Sequence, residues 1–91
     1  MMVARRITVT GRVQGVGFRY FVLRRARGLN INGWVRNRRD ASVEIWAEGS
    51  IIDVEELESL LRKGPPGARV SAVRSEIHTA TGKHRGFDIV F

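Results

Sequence analysis

From Arg6 to Val13 the chain alternates. Ile7, Val9, Gly11 and Val13 fall on one side, and Arg6, Thr8, Thr10 and Arg12 on the other. A period of two predicts a strand with one buried face. At Phe18 the period changes. Phe18, Phe21, Val22, Ala26 and Leu29 recur at helical spacing, so residues 18–29 are expected to form an amphipathic helix. Asn30 stands where the chain must leave that helix, and after glycine it is the residue best suited to a left-handed cap. Residues 31–38 and 42–49 return to strand-like patterns on either side of Asp40 and Ala41, which predicts a hairpin. Pairing Arg38 with Ser42 sets Arg36 against Glu44 and Trp34 against Trp46, both favourable cross-strand pairs. The loop left over, Arg39-Asp40-Ala41, is of the kind that ends in a left-handed residue. Ala41 is the expected one, with Arg39 or Asp40 the alternative in another register.

Ser50 then opens a second helix as its N-cap, with Asp53 three positions on. Ile51, Val54, Leu57, Leu60 and Leu61 supply its apolar side, and Arg62-Lys63-Gly64-Pro65 stops it. Residues 69–77 read as a strand whose alternation is broken by Val70 and Val73, which a bulge would explain. Thr79 to Gly86 is polar and reads as a loop, and Phe87, Ile89 and Phe91 mark a short last strand. The order β-α-β-β-α-β fits an α+β, ferredoxin-like sandwich: an antiparallel sheet with two helices on one face and a short extra C-terminal strand. That plan hosts many functions, so fold alone selects none.

Length and composition narrow the field. Residues 1–91 make one expected domain. No apolar run approaches a membrane span, the N-terminus has no signal-peptide core, and cysteine is absent, so a cytoplasmic location is the default and no membrane partner is expected. The net charge of +7 comes from fourteen arginines and two lysines against nine carboxylates. Such a surface concentrates anionic substrates and would also suit nucleic acid. Arg24, Arg25 and Arg27 read by themselves as a solvated helix face.

The chemistry concentrates in Gly11-Arg12-Val13-Gln14-Gly15-Val16-Gly17-Phe18-Arg19, where strand passes into helix. Glycines free the backbone so that consecutive N–H groups can surround an oxyanion. A helix N-terminus adds unpaired donors, and Arg19 a planar two-pronged one. An ordinary strand-to-helix turn is the plainer reading of the glycines alone. The spacing is not that of a Walker A loop, and the third glycine of the dinucleotide fingerprint is missing. No Cys nucleophile and no D-x-D motif is present. His78 and His84, in or beside the polar loop, read as solvated rather than as metal ligands, so neither metal nor cofactor is expected. Asn37, taken alone, reads as a turn-former at the end of the hairpin strand.

The run G-R-V-Q-G-V-G-F-R resembles one signature of the acylphosphatases, and Gly33-Trp34-Val35-Arg36-Asn37 resembles the other, G-W-V-x-N. Their separation also fits, and the likeness continues through Val43-Glu44, Glu48-Gly49, Gly64-Pro65 and Phe87-Asp88-Ile89. The resemblance implies hydrolysis of acyl phosphates to a carboxylate and inorganic phosphate. It assigns phosphate binding to Arg19, positioning of the attacking water to Asn37, and the phosphate loop to the backbone N–H groups of Gln14, Gly15, Val16, Gly17 and Phe18. A carboxylic-phosphoric anhydride suits a site of donors without a nucleophile, because its leaving carboxylate is stable and needs little acid assistance. Asn30 and Ala41 depart from the family, standing where glycine is usual, and both concern backbone geometry. The rivals are a non-catalytic binder of small anions and an RNA-binding module of the same topology. The run Ser42 to Gly49, with one aromatic and two acids, is a poor stacking platform and disfavours RNA.

Overall fold

The computed structural model describes residues 1–91. β1 (Met2–Arg12) leads to α1 (Phe18–Gly28), then β2 (Asn32–Asn37), β3 (Val43–Ser50), α2 (Ile51–Lys63), β4 (Arg69–His78) and β5 (Phe87–Ile89). The sheet order is β4-β1-β3-β2-β5. The first four strands pair antiparallel, as expected. The fifth does not: β5 runs parallel to β2, so the sheet is mixed rather than wholly antiparallel. The crossover to β5 reaches the far edge, where Val90 N–H still donates to the Val35 carbonyl while Phe91 lies in solvent.

One face of the sheet carries the core. Ile7, Val9, Val35, Val43 and Ile45 meet Phe18, Val22 and Ala26 of α1 and Val54, Leu57 and Leu61 of α2. Removing this apolar area from water is the main force holding both helices down. Gly33 belongs to the same close packing. Its φ is +144°, and a Cβ there would sit 1.8 Å from the Trp46 carbonyl oxygen, so only glycine lets β2 approach β3 at this point.

The local details follow the sequence closely. Arg36 faces Glu44 and Trp34 faces Trp46. Ser50 Oγ accepts from Asp53 N–H at 3.1 Å. The register of β4 slips between Thr10 and Gly11, leaving Ser71 as the bulge. α1 ends as a Schellman motif: Asn30, at φ +57°, donates to Arg27, and Ile31 donates to Ala26. Ala41 takes φ +73°, and the turn is closed by Arg38 N–H to Ser42 O and Ala41 N–H to Arg38 O. Asn30 and Ala41 are the two non-glycine residues with positive φ.

Two further expectations need correcting. On α2, Ile51 is exposed and Glu58 is buried instead. Glu58 Oε1 accepts from Arg5 at 3.2 Å and from the Ser75 hydroxyl at 2.6 Å, so a carboxylate is held between sheet and helix by paired donors. The expected solvated histidines are the second case: the Trp46 ring, opposite Trp34 in register, packs against His78 and His84. Those histidines are therefore not free in solvent. The loop after β4 folds back over the open sheet face because Glu48, buried on β3, accepts from Thr81 N–H, Thr81 Oγ1, Gly82 N–H and the Trp46 indole.

Candidate active site

The site forms where β1 gives way to α1. Val13 is buried and anchors the end of the strand. The chain then turns through Gly15 (φ +74°) and Gly17 (φ +77°, ψ +19°). Left-handed residues separated by one ordinary residue aim successive N–H groups toward one point. No backbone N–H from Gln14 to Tyr20 donates to an acceptor within the chain. The N-cap, Gly17, provides no side-chain acceptor, and no acidic residue stands in the first turn of α1. The positive end of the helix therefore faces outward uncompensated, a geometry that receives an oxyanion.

Gln14 contributes more than its N–H. Its side-chain amide donates to the carbonyl oxygens of Arg38 at 2.8 Å and Ser42 at 2.9 Å. The loop is thus tied to the end of the β2–β3 hairpin. That tie brings two segments that are distant in sequence to the same cleft. Nothing in residue spacing announced it, since the partners are backbone atoms of the hairpin.

A cleft of about 220 Å³ results, lined in part by Gly15, Gly17, Phe18, Arg19, Asn37 and Phe91. Of the residues expected at the site, Gln14 and Val16 do not line it: Gln14 turns to the hairpin, and Val16 packs at the edge of the core. They can take part only through the backbone. Phe18 divides its surface, since its ring is buried in the core beside Phe21 while its N–H opens the helix. Phe91 was not expected here. Its ring carries the Arg19 guanidinium at 5.5 Å from the ring centre, a cation–π contact that leaves the N–H donors of Arg19 without a carboxylate partner.

Asn37 ends β2, and its Oδ1 is buried without a hydrogen-bond partner in the chain. A buried acceptor left unmade costs about 1–3 kcal/mol, so its retention needs a reason. The cleft beside it supplies one, because a bound molecule that donates to Oδ1 removes the deficit. Asp40, at the hairpin tip, is held below the usual carboxylate range by hydrogen bonds from the Ser42 hydroxyl and N–H, and so stays ionised. It lies outside the cleft lining. No three His, Asp or Glu side chains group as metal ligands. The cleft thus presents amide donors, one guanidinium and one amide acceptor, and can hold a tetrahedral oxyanion next to an oriented small molecule.

The split β-α-β sandwich, with a glycine turn opening its first helix beside Asn37, defines the class as a small ferredoxin-like α+β protein. The comparisons fix the family. The acylphosphatase family profile matches residues 5–89. An acylphosphatase of Syntrophotalea carbinolica is 42% identical over 86 residues, covering 94% of each chain. The crystal structure of the Bacillus subtilis acylphosphatase superposes with a TM-score of 0.95 at 40% identity over the whole of both chains. A Coxiella burnetii acylphosphatase structure gives a TM-score of 0.90 at 34% identity, covering 98% of this chain and 93% of that one. The chain belongs to the acylphosphatase family. Its activity is accordingly acyl phosphate hydrolysis, and the comparisons favour neither the anion-binding nor the RNA-binding alternative.

Proposed function

We propose that residues 1–91 act as one domain that cleaves the carboxyl–phosphate bond by direct attack of water on phosphorus, without a metal or cofactor. The backbone N–H groups of Gln14, Gly15, Val16, Gly17 and Phe18 and the Arg19 guanidinium hold the phosphoryl oxygens. They stabilise the charge that develops there, which is the larger part of what phosphoryl transfer asks of a protein. Asn37 Oδ1 accepts a hydrogen bond from the water and holds it in line. The new O–P bond forms as the P–O bond to the acyl carbonyl breaks. The carboxylate leaves as an anion, and the proton of the water passes to a phosphoryl oxygen of the substrate. An amide is too weak a base to take that proton, so its role is to orient the water. A cytoplasmic setting accords with a chain that has no cysteine and no helix long and apolar enough to cross a membrane.

The observation that carries this reading is the buried, unpartnered Oδ1 of Asn37 in the same cleft as Arg19 and the glycine cradle. Hydrolysis of benzoyl phosphate, followed in excess chelator, tests it. Turnover should proceed and release equal amounts of benzoate and phosphate. No turnover, or activity that disappears with the chelator and returns with magnesium or zinc, would refute it.

A further inference from the structure

A second groove, of about 390 Å³, adjoins the cradle. Tyr20, Phe21, Arg24, Arg25, Pro65 and Pro66 line it, and Gly17 and Tyr20 border both cavities. Its walls are one side of α1 and the turn that follows α2. Side chains on a helix lean toward its N-terminus. Accordingly the Arg24 guanidinium lies back over the Tyr20 ring, 5.8 Å from its centre, and that of Arg25 over Phe21 at 5.4 Å. Each charge therefore leans toward the cradle end of α1, over the ring one turn back. Neither arginine takes part in an ion pair, although both also border the next groove along the helix, which Glu56 lines.

Another groove of about 390 Å³ adjoins the cleft beside Asn37 and Phe91. In-line attack by a water held at Asn37 sends the acyl group of a phosphate seated at Gly17 away from that side, toward the groove at Tyr20 and Phe21. Two prolines and two aromatic rings offer apolar contact for a short carbon chain. Arg24 lies seven positions after Gly17, a rise of about 10 Å, and the back-leaning side chains shorten the gap to within reach of a few carbons. On the reading of the cradle as the phosphate site, we propose that this groove is the acyl-group subsite. Arg24 and Arg25 select acyl phosphates whose acyl part ends in a second anionic group, such as the monophosphoric anhydride of a short dicarboxylic acid.

The test compares kcat/KM for succinyl phosphate and acetyl phosphate. Wild type should prefer the succinyl substrate by about tenfold, as two partly exposed cations on one carboxylate allow. Arg24→Gln with Arg25→Gln should remove most of that preference while changing acetyl phosphate by less than about twofold, since neither arginine meets the small acyl group. Arg74→Gln with Arg85→Gln, which removes the same charge from exposed sites, should leave the ratio intact. A wild type without preference, or an equal loss for both substrates in the Arg24/Arg25 variant, would overturn the proposal. Failure to hydrolyse acetyl phosphate at all would instead strike at the phosphate cradle itself. Thermal melts of both double variants establish that they are folded.

Discussion

In the proposed mechanism Arg19 meets two requirements that lysine cannot meet together: a planar fork for phosphoryl oxygens and a flat cation to lie against Phe91. Arg19→Lys keeps the charge and loses both. Its kcat/KM for benzoyl phosphate should fall at least about 100-fold, or about 3 kcal/mol of transition-state stabilisation. Its inhibition by inorganic phosphate should weaken as well. Near-normal kinetics in a folded Arg19→Lys protein would remove this residue from the chemistry. At this scale the sequence was most legible where one residue type solves one local problem. Asn30 and Ala41, in positions calling for glycine, were expected to be left-handed, and they are the two non-glycine residues that are. The side chain of Gln14 was not legible. Its partners are carbonyl groups of residues 38 and 42, and no pattern in a sequence marks a carbonyl as an acceptor.

The elements were read from period, and period sees one face at a time. It placed both helices, the hairpin register and the bulge of β4. It assigned Ile51 to the core of α2 where Glu58 lies, because a buried carboxylate is defined by donors on another strand, here Arg5 on β1 and Ser75 on β4. The direction of β5 was likewise beyond reach, since three residues carry no signal that separates parallel from antiparallel pairing. The hairpin itself gives a sharp test. Ala41 holds a conformation that glycine takes freely and alanine takes at about 1 kcal/mol, so Ala41→Gly should raise stability by up to about 1 kcal/mol, or a few degrees in Tm. Turnover should barely change, because the loop tip lies past Asn37. A lower Tm for the glycine variant would mean that Ala41 gains more from its contacts than it loses in strain.

One carboxylate, that of Glu48, holds the loop after β4 across the open sheet face. Burial alone would raise the pKa of Glu48. The hydrogen bonds of the Thr81 hydroxyl, the Trp46 indole and the Gly82 and Thr81 N–H groups outweigh that and bring it from 4.5 to about 2. A folded-state pKa below the unfolded value gives stability that is complete above pH 4.5 and is lost as the pH falls through about 2. The difference corresponds to about 3 kcal/mol. Denaturation midpoints should therefore fall between about pH 5 and pH 2, with Glu44, also lowered by Arg36 and Arg6 against its burial, adding in the same direction. Glu48→Gln should lose stability at neutral pH and show a shallower fall in acid. An unchanged acid profile in that variant would place the main acid sensitivity elsewhere. The same whole-molecule view shows why the catalytic reading needed both sequence motifs. The cradle comes from the β1–α1 turn and Asn37 from the end of β2, and the sheet brings them to one cleft. The division of labour between them is open to one steady-state series: benzoyl phosphate hydrolysis by Asn37→Ala, with inorganic phosphate as competitive inhibitor. We expect kcat to fall at least about 100-fold, about 3 kcal/mol, while the phosphate inhibition constant stays within about twofold of wild type. Retained turnover, or a loss of phosphate affinity matching the loss of turnover, would contradict the assignment of Asn37 to the water.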